Sequence, residues 1–396
     1  MKGRVIVIQE NPRLPGMADD DFCTFAAACL DDGRLQDLLI DPREIDPDPA
    51  PTPGTIGIAQ IDRLLANGGG AFVRTGGNSS GFLRGQAGAP GTHVLVQVEG
   101  VAEPGKATPV TSRILLKDRH VIVTPGKPGV NISRRIKGDR LDALAPLVSR
   151  ITQALSESDA NCGVILRSEA WRVSPDQVLT ELAAAMGRWA HLKARLSDPK
   201  TPKPVWLATP DSPTRIIEHW GTPAEGVRYI TAGPNAQDAA ATGNSESVLE
   251  DQHGLWESFG HADAFDHYGI WDEIERLRSP HTDLLSGGWM AIEATRAMVT
   301  IDINTGDSFG QGDAMTANIE AARALPRQLR LRGLGGQIII DFAPMKKMHR
   351  KKIEEELKRA FARDPIQTTL AGWTPLGNFE LQRKRERRPL SELLPD

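Results

Sequence analysis

The stretch VTIDINTGD (299–307) carries an acid and an amide two positions apart inside an apolar, β-branched run. Side chains two apart on a strand share a face. Thr300, Asp302 and Asn304 therefore point one way, and Val299, Ile301 and Ile303 the other. A further acid, Asp341, closes the apolar run QIIID. If the two strands are neighbours, two carboxylates and one amide meet at the carboxyl ends of a sheet, where open α/β sheets keep their sites. Two ionised carboxylates side by side repel, so the arrangement favours a divalent cation or a raised pKa. All-oxygen ligands select a hard ion, Mg²⁺ or Mn²⁺, that keeps several waters and leaves places for phosphate oxygens. Spacing also admits a plainer reading, in which both acids are strand-end residues satisfied by turn amides.

The surrounding elements must hold these residues. From residue 285 onward, GWMAIEAT and AMVTIDINTG read as strands, TANIEAARALPRQLRLR as a helix and GGQIIIDF as a strand. KKMHRKKIEEELKRAFARD then reads as an amphipathic helix with Ile353, Leu357, Ala360 and Phe361 on one stripe. Pro326 predicts a kink in the first helix. Strands alternating with helices make an α/β unit. Between 55 and 123, IGIAQIDRLL, GAFVRTG, SGFLRG, THVLVQVEGV and RHVIVTPG predict five short strands and a small barrel of the oligonucleotide-binding type. Residues 139–195 read as helices around one strand, CGVILRS, with Ser174-Pro175 opening the later helix. Pro- and Gly-rich stretches at 46–54, 124–129, 197–204 and 232–245 mark boundaries or long loops.

At 396 residues the chain holds two to four packed units. Its longest apolar runs, such as Gly163–Leu166 and Ile338–Ile340, are too short to span a bilayer. Gln9 and Glu10 break the N-terminal apolar patch, so it does not read as a signal peptide. Cys23, Cys29 and Cys162 stand at no metal-ligand spacing, which points to a reducing cytoplasm and away from disulfides or a zinc site. The net charge is −4, yet Lys and Arg outnumber Asp and Glu by more than two to one between Arg323 and Arg388. That imbalance fits a polyanion-binding face or merely solvated helices.

The wording around the acids goes further than their spacing. SGGWMAIEATRAMVTIDINTG (286–306) and TANIEAARALPRQLRLRGLGGQIIIDF (316–342) closely resemble the catalytic part of the ribonuclease E/G family of bacterial endoribonucleases. The resemblance continues in ARDPIQTTLAGWTPLGNFELQRKRERRPLSELL (362–394), where Gln382–Arg388 looks like the family's basic stretch. Upstream, AACLDDGRLQDLLID (27–41), GGAFVRTGGNSSGFLRG (69–85), EPGKATPVTSRILL (103–116), NISRRI (131–136) and CGVILRS (162–168) are similar too.

The resemblance implies an α/β fold of several subdomains. An RNase H-like subdomain (1–54 and 211–284) is interrupted by an S1-like RNA-binding barrel (55–118) and a 5′-sensor-like region (119–210); a DNase I-like catalytic subdomain (285–396) follows. It further implies that Asp302 and Asp341 hold catalytic Mg²⁺, with Mn²⁺ as a substitute, and that Asn304 hydrogen-bonds near the scissile phosphate. Phe72 and Phe82 would stack on bases, and Lys106 and Arg332 would neutralise backbone phosphates. Arg167 and Ser168 fall at the 5′-phosphate sensor. Departures stand beside these matches. Ser168 replaces a threonine, and Asp118 occupies the position of a glycine on the adjacent loop, with Arg119 next to it to offset a carboxylate that repels phosphate. Family members continue into a Cys-x-x-Cys zinc link and a small dimerisation domain, which this sequence lacks. No structural zinc and no zinc-linked dimer are therefore expected, and the oligomeric state is left open.

The expected function is Mg²⁺-dependent cleavage of single-stranded RNA in cytoplasmic RNA processing or decay, giving 5′-phosphate and 3′-hydroxyl ends. One alternative is an RNA-binding protein of the same fold that has lost cleavage. A carboxylate pair could also serve glycoside hydrolysis, which the basic C-terminal quarter opposes.

Overall fold

The computed structural model describes residues 3–10, 25–41, 51–66, 68–103, 105–134, 136–209, 220, 227–233, 256–258, 263–306 and 311–394. Cys23, the stretch 234–245 and most of the segment 211–262 lie outside them. The chain divides into two units, one of residues 1–49 with 223–396 and one of residues 50–222.

The first unit contains two sheets. One has five strands in the order Trp256–Ser258, Val227–Ala232, Arg4–Glu10, Phe25–Asp31, Arg34–Asp41. The first three run parallel and the last three antiparallel. Val5, Ile6, Val7 and Ile8 are all buried, so the central strand reads as an unbroken apolar run instead of alternating. Asp32 and Gly33 turn the chain between the strands of the hairpin with φ of 49° and 78°. Positive φ at both central residues gives the turn a twist that matches its flanking strands.

The other sheet has six strands, in the order His281–Asp283, Trp289–Ala294, Val299–Asn304, Gly336–Asp341, Phe379–Arg383, Thr368–Trp373. The helices Gln311–Leu331 and Arg350–Ala362 cover one face, where Ile301, Ile303, Ile338 and Ile340 meet Ala321, Leu325, Ile353 and Leu357. The first helix runs unbroken past Pro326, because the fully buried Leu325 and Leu329 on either side hold the turn against the sheet. On the second, Ile353, Leu357 and Phe361 are buried as the stripe predicts. Glu356 is buried with them, and accepts from Arg323 (3.0 Å) and Arg359 (2.8 Å).

The two sheets of this unit are joined by buried charges. Arg330 donates to Asp364 (2.7 Å) and to the Gln36 carbonyl (2.8 Å), and its Nε lies 3.5 Å from Asp37. Arg387 pairs with both oxygens of Asp37, and Arg383, fully buried, pairs with Asp364. Arg327 donates to the Leu35 carbonyl (2.5 Å). The Gln382–Arg388 stretch therefore does not present a uniformly basic surface: Arg383 and Arg387 turn inward, where carboxylates meet them. Burial pushes the Arg383 guanidinium down, with Asp364 pulling it up. At Arg387 burial also opposes the charge, but Asp37 and its acidic neighbours carry the net shift upward.

The second unit begins with a closed barrel of five strands, S1-like, in the order Ile56–Leu64, Gly70–Arg74, Ser80–Arg84, Thr108–Thr111, His93–Val98 and back to Ile56–Leu64. Its fifth strand is Thr108–Thr111, whereas the sequence points to RHVIVTPG. Pro109 disguises the short strand by breaking its β pattern. Val121–Pro125 pairs instead with Cys162–Leu166 in a second sheet, flanked by Leu116–Lys117 and Gly129–Ile132. The helices Ala145–Ser158 and Pro175–Ser197 cover that sheet. Ser174 caps the second of them, accepting from the Gln177 amide (3.3 Å) while Gln177 Oε1 accepts from its own (3.1 Å). Buried His120 meets Glu181 of this helix through its backbone N–H (2.9 Å) and Nδ1 (2.7 Å).

Removing one member of a buried ion pair leaves its counterpart uncompensated, which costs roughly 3–5 kcal/mol. Asp37→Asn is expected to lower the thermal midpoint accordingly, measured by circular dichroism. An unchanged midpoint would mean that the network does not hold the two sheets together.

Candidate active site

Burial along Val299–Asn304 alternates as the sequence implies: Val299, Ile301 and Ile303 face the helices, and Asp302 lies exposed on the opposite face. Val299–Asn304 and Gly336–Asp341 are parallel neighbours, and their register pairs Asp302 with Asp341. Strand spacing of about 4.8 Å puts two carboxylates level on one open face. Asn304 Nδ2 donates to Asp302 Oδ2 at 2.7 Å, so the amide orients one carboxylate and keeps its own oxygen as an acceptor. Asp302 and Asp341 are exposed and Asn304 is half-buried.

Two devices that the sequence reading passed over fix these positions. A Cβ on Gly288 would lie 2.6 Å from the Asn304 carbonyl, and one on Gly306 (φ 65°) would collide with the Gly287 carbonyl. The glycines of SGGW and NTG thus let two turns touch beside Asn304. On the other strand, fully buried Asn318 clamps the residue two beyond Asp341: it donates to the Ala343 carbonyl (2.9 Å) and accepts from the Ala343 amide (3.0 Å). A lone amide in the apolar face of TANIEAA was the available signal. Lys346 and Lys347 are exposed on the loop that follows.

In the barrel, Phe72 and Phe82 are directly opposite on adjacent strands, edge to face with centroids 5.4 Å apart. Both are half-buried, while Ala71, Val73 and Leu83 point inside. The Arg63 guanidinium lies 5.0 Å over the Phe72 ring. By strand alternation Arg74 and Arg84 share that outer face and are exposed, so three arginines that the sequence reading missed surround the aromatic pair. Lys106 is exposed and 2.5 Å from Glu103.

Elsewhere the geometry differs from what the resemblance implies. Arg332 is buried and donates to Gln328, the Ser279 carbonyl (3.0 Å) and Thr282 (3.2 Å). Burial pulls its guanidinium down to about 10. Its donors are engaged inside the protein by those three acceptors. Arg167 donates to the Asp118 carbonyl (2.6 Å), and Ser168 beside it is half-buried. The cation that meets the Asp118 carboxylate is Arg188 (2.5 Å), from the Pro175–Ser197 helix, and not the adjacent Arg119. Burial pushes the Asp118 carboxyl up, with Arg188 pulling it down.

Among the described residues no group of three or more His, Cys, Asp and Glu side chains is placed to hold a metal, and no helix is long and apolar enough to cross a membrane. An α/β chain with an S1-like barrel and a polar, acid-bearing sheet face has the make-up of an RNA-directed enzyme. The model of the Ribonuclease E/G family matches residues 116–386. The chain is 29% identical over 399 residues to Ribonuclease G of Salmonella typhimurium (strain SL1344), covering 93% of this chain and 79% of that one. It is 32% identical over 315 residues to Ribonuclease G of Haemophilus influenzae, covering 77% and 62%. Against Ribonuclease E of a Nostoc species the identity is 28% over 330 residues, covering 78% and 45%. The chain belongs to the Ribonuclease E/G family and is an endoribonuclease. Membership implies a divalent metal cofactor.

Arg332→Gln is expected to lower the thermal midpoint while leaving the affinity for single-stranded RNA, read by anisotropy, within about twofold, since a buried cation adds no phosphate contact. Selective loss of RNA affinity at unchanged stability would make Arg332 a phosphate ligand after all.

Proposed function

We propose that this chain cuts single-stranded RNA internally with Mg²⁺, held by Asp302 and Asp341. The observation that carries the reading is the level pairing of those two exposed carboxylates across parallel strands. Two oxygen-donor side chains on an open face suit Mg²⁺, which takes one or two carboxylates and completes its shell with waters and substrate phosphate oxygens. Held by Asp302 and Asp341, such an ion would supply Lewis-acid polarisation of the scissile phosphate and a lowered pKa for the attacking water. Asn304 holds Asp302 in place through its amide and would offer its oxygen to the attacking water. Lys346 and Lys347, on the loop after Asp341, lie where they would neutralise flanking phosphates. Attack of the water oxygen on phosphorus expels the 3′-oxygen, which takes up a proton, and leaves 5′-phosphate and 3′-hydroxyl ends.

The barrel supplies grip. Phe72 and Phe82 stack on bases while Arg63, Arg74, Arg84 and Lys106 meet the backbone, a mode that tolerates every base. The strand order of the first sheet, three antiparallel strands followed by two parallel ones, supports reading residues 1–54 and 211–284 as an RNase H-like subdomain. The sheet with helices on one face and acids on the other supports a DNase I-like subdomain over 285–396. Residues 55–118 and 119–210 are then the barrel and the sensor-like region, with Val205–Ala208 returning to pair with the barrel. RNA processing or decay in the cytoplasm is the setting that such a substrate implies.

The test is cleavage of a short 3′-labelled RNA. Chelator should abolish internal cuts, and Asp302→Asn should slow them by about 10³-fold while RNA is still bound. Persistence of cutting in either control would remove the acids from the mechanism; bound RNA that stays intact in the native protein with Mg²⁺ would leave only the binding function. Phe72→Ala and Phe82→Ala should each weaken RNA binding by about 1–3 kcal/mol without loss of stability.

A further inference from the structure

The open sheet face that carries Asp302 and Asp341 extends over the two strands beside them. Residues directly opposite on neighbouring strands share a face. The register pairs Asp302 with Ala291 and Ala291 with His281, and it pairs Asn304 with Trp289 and Trp289 with Asp283. Met290 and Ile292 turn the other way, into the core beneath the helices, and Trp289 takes no part in that core. An indole therefore stands half-buried on the acid-bearing face, where packing of the sheet does not require one. Its Cβ lies about 4.5–5.5 Å from that of Asn304, and about 7–8 Å on the diagonal from Asp302. Ala291 adds only a methyl group to the same face, so no bulky side chain of this strand stands between the indole and the acids.

His281 lies against the indole, ring centroids 4.9 Å apart and planes 30° from parallel. Asp283 in turn meets His281 Nε2 at 3.0 Å, which fixes the imidazole. On the reading of Asp302 and Asp341 as the place where RNA is cut, we propose that Trp289, backed by His281, is the stacking platform for a base that flanks the scissile phosphate. One ring face is held by the imidazole, and the other receives the base. A ring already pinned loses little freedom when a base lands on it. The charged neighbours on this margin, Asp283 and Glu293, are exposed acids, which repel a phosphate and leave a neutral base as the fitting occupant. The acids alone do not decide which phosphodiester of a strand they meet. A base seated beside Asn304 does, because it sets the next phosphate over the carboxylates. Indole has a large π face, so purines gain more from the stack than pyrimidines, and every base gains something.

The experiment uses the full chain with Mg²⁺ and one RNA that it cuts at a mapped site. Each of the two nucleotides flanking the cut is made in turn a purine, a pyrimidine or an abasic residue. For the native chain, loss of the base at one of the two positions should lower kcat/KM roughly tenfold, with purine ahead of pyrimidine. Trp289→Ala should slow the intact RNA by a similar factor and then show no further loss with the abasic RNA, whereas Trp289→Phe should keep most of the penalty. If Trp289→Ala does not fold, judged by circular dichroism, Trp289→Leu keeps apolar bulk without a flat face and carries the same expectation. An indole that only packs would slow all the RNAs alike and leave the abasic penalty in place, which would overturn the proposal. A native chain indifferent to loss of either base would overturn it too. If the native chain cuts none of the RNAs, the nuclease reading fails and takes the platform with it; cutting with an unmoved penalty sinks the platform alone.

Discussion

The larger unit depends on two buried carboxylates, Asp37 and Asp364, bridged by Arg330 and neutralised further by Arg387 and Arg383. Asp37 belongs to the edge strand of the five-stranded sheet, and Asp364 follows the second helix of the six-stranded one. One arginine from the long helix thus spans both. Charges withdrawn from water are tolerated only where each finds an opposite charge in good geometry, so the network specifies a single docking of the two sheets. It also explains where part of the basic surplus goes: several of those arginines balance buried or nearby acids.

The same helix that carries Arg330 also carries Asn318, which reaches the loop directly after Asp341. Docking of the two sheets and placement of the strand end that bears Asp341 therefore share one helix. A crossover from Val299–Asn304 through this helix to Gly336–Asp341 makes the two strands parallel neighbours, and that parallel register is what levels the two acids. The glycine contacts beside Asn304 and the clamp at Ala343 hold the strand ends while leaving the carboxylates exposed. Support of this kind, from packing and buried amides and not from the acids themselves, is what preorganises a site.

In the smaller unit the division of labour is similar. Barrel strands turn Phe72 and Phe82 outward as a pair because their register sets them opposite each other. The sheet that contains Val121–Pro125 and Cys162–Leu166 is braced by Glu181 and Arg188, two residues of one helix face that grip His120 and Asp118 of one turn. Nothing in the local pattern of either segment reveals the other, since the residues that meet are about sixty to seventy positions apart.

The sequence by itself determined the elements: period-two alternation made VTIDIN a strand with Asp302 and Asn304 on one face, and the apolar stripe made Arg350–Ala362 a helix. Its long motifs determined the family. It did not reveal the barrel's fifth strand, because a four-residue strand containing Pro109 has no periodic signal. Nor did it distinguish Arg383, Arg387 and Arg332, which are buried, from arginines that meet solvent, since burial of a cation depends on an acid or carbonyl brought to it by folding. Choice of Arg188 over the adjacent Arg119 as the cation on Asp118 was likewise made only in three dimensions, where a helix face outreaches a chain neighbour. Local propensity and alternation are properties of a segment, whereas pairing of charges is a property of the packed whole.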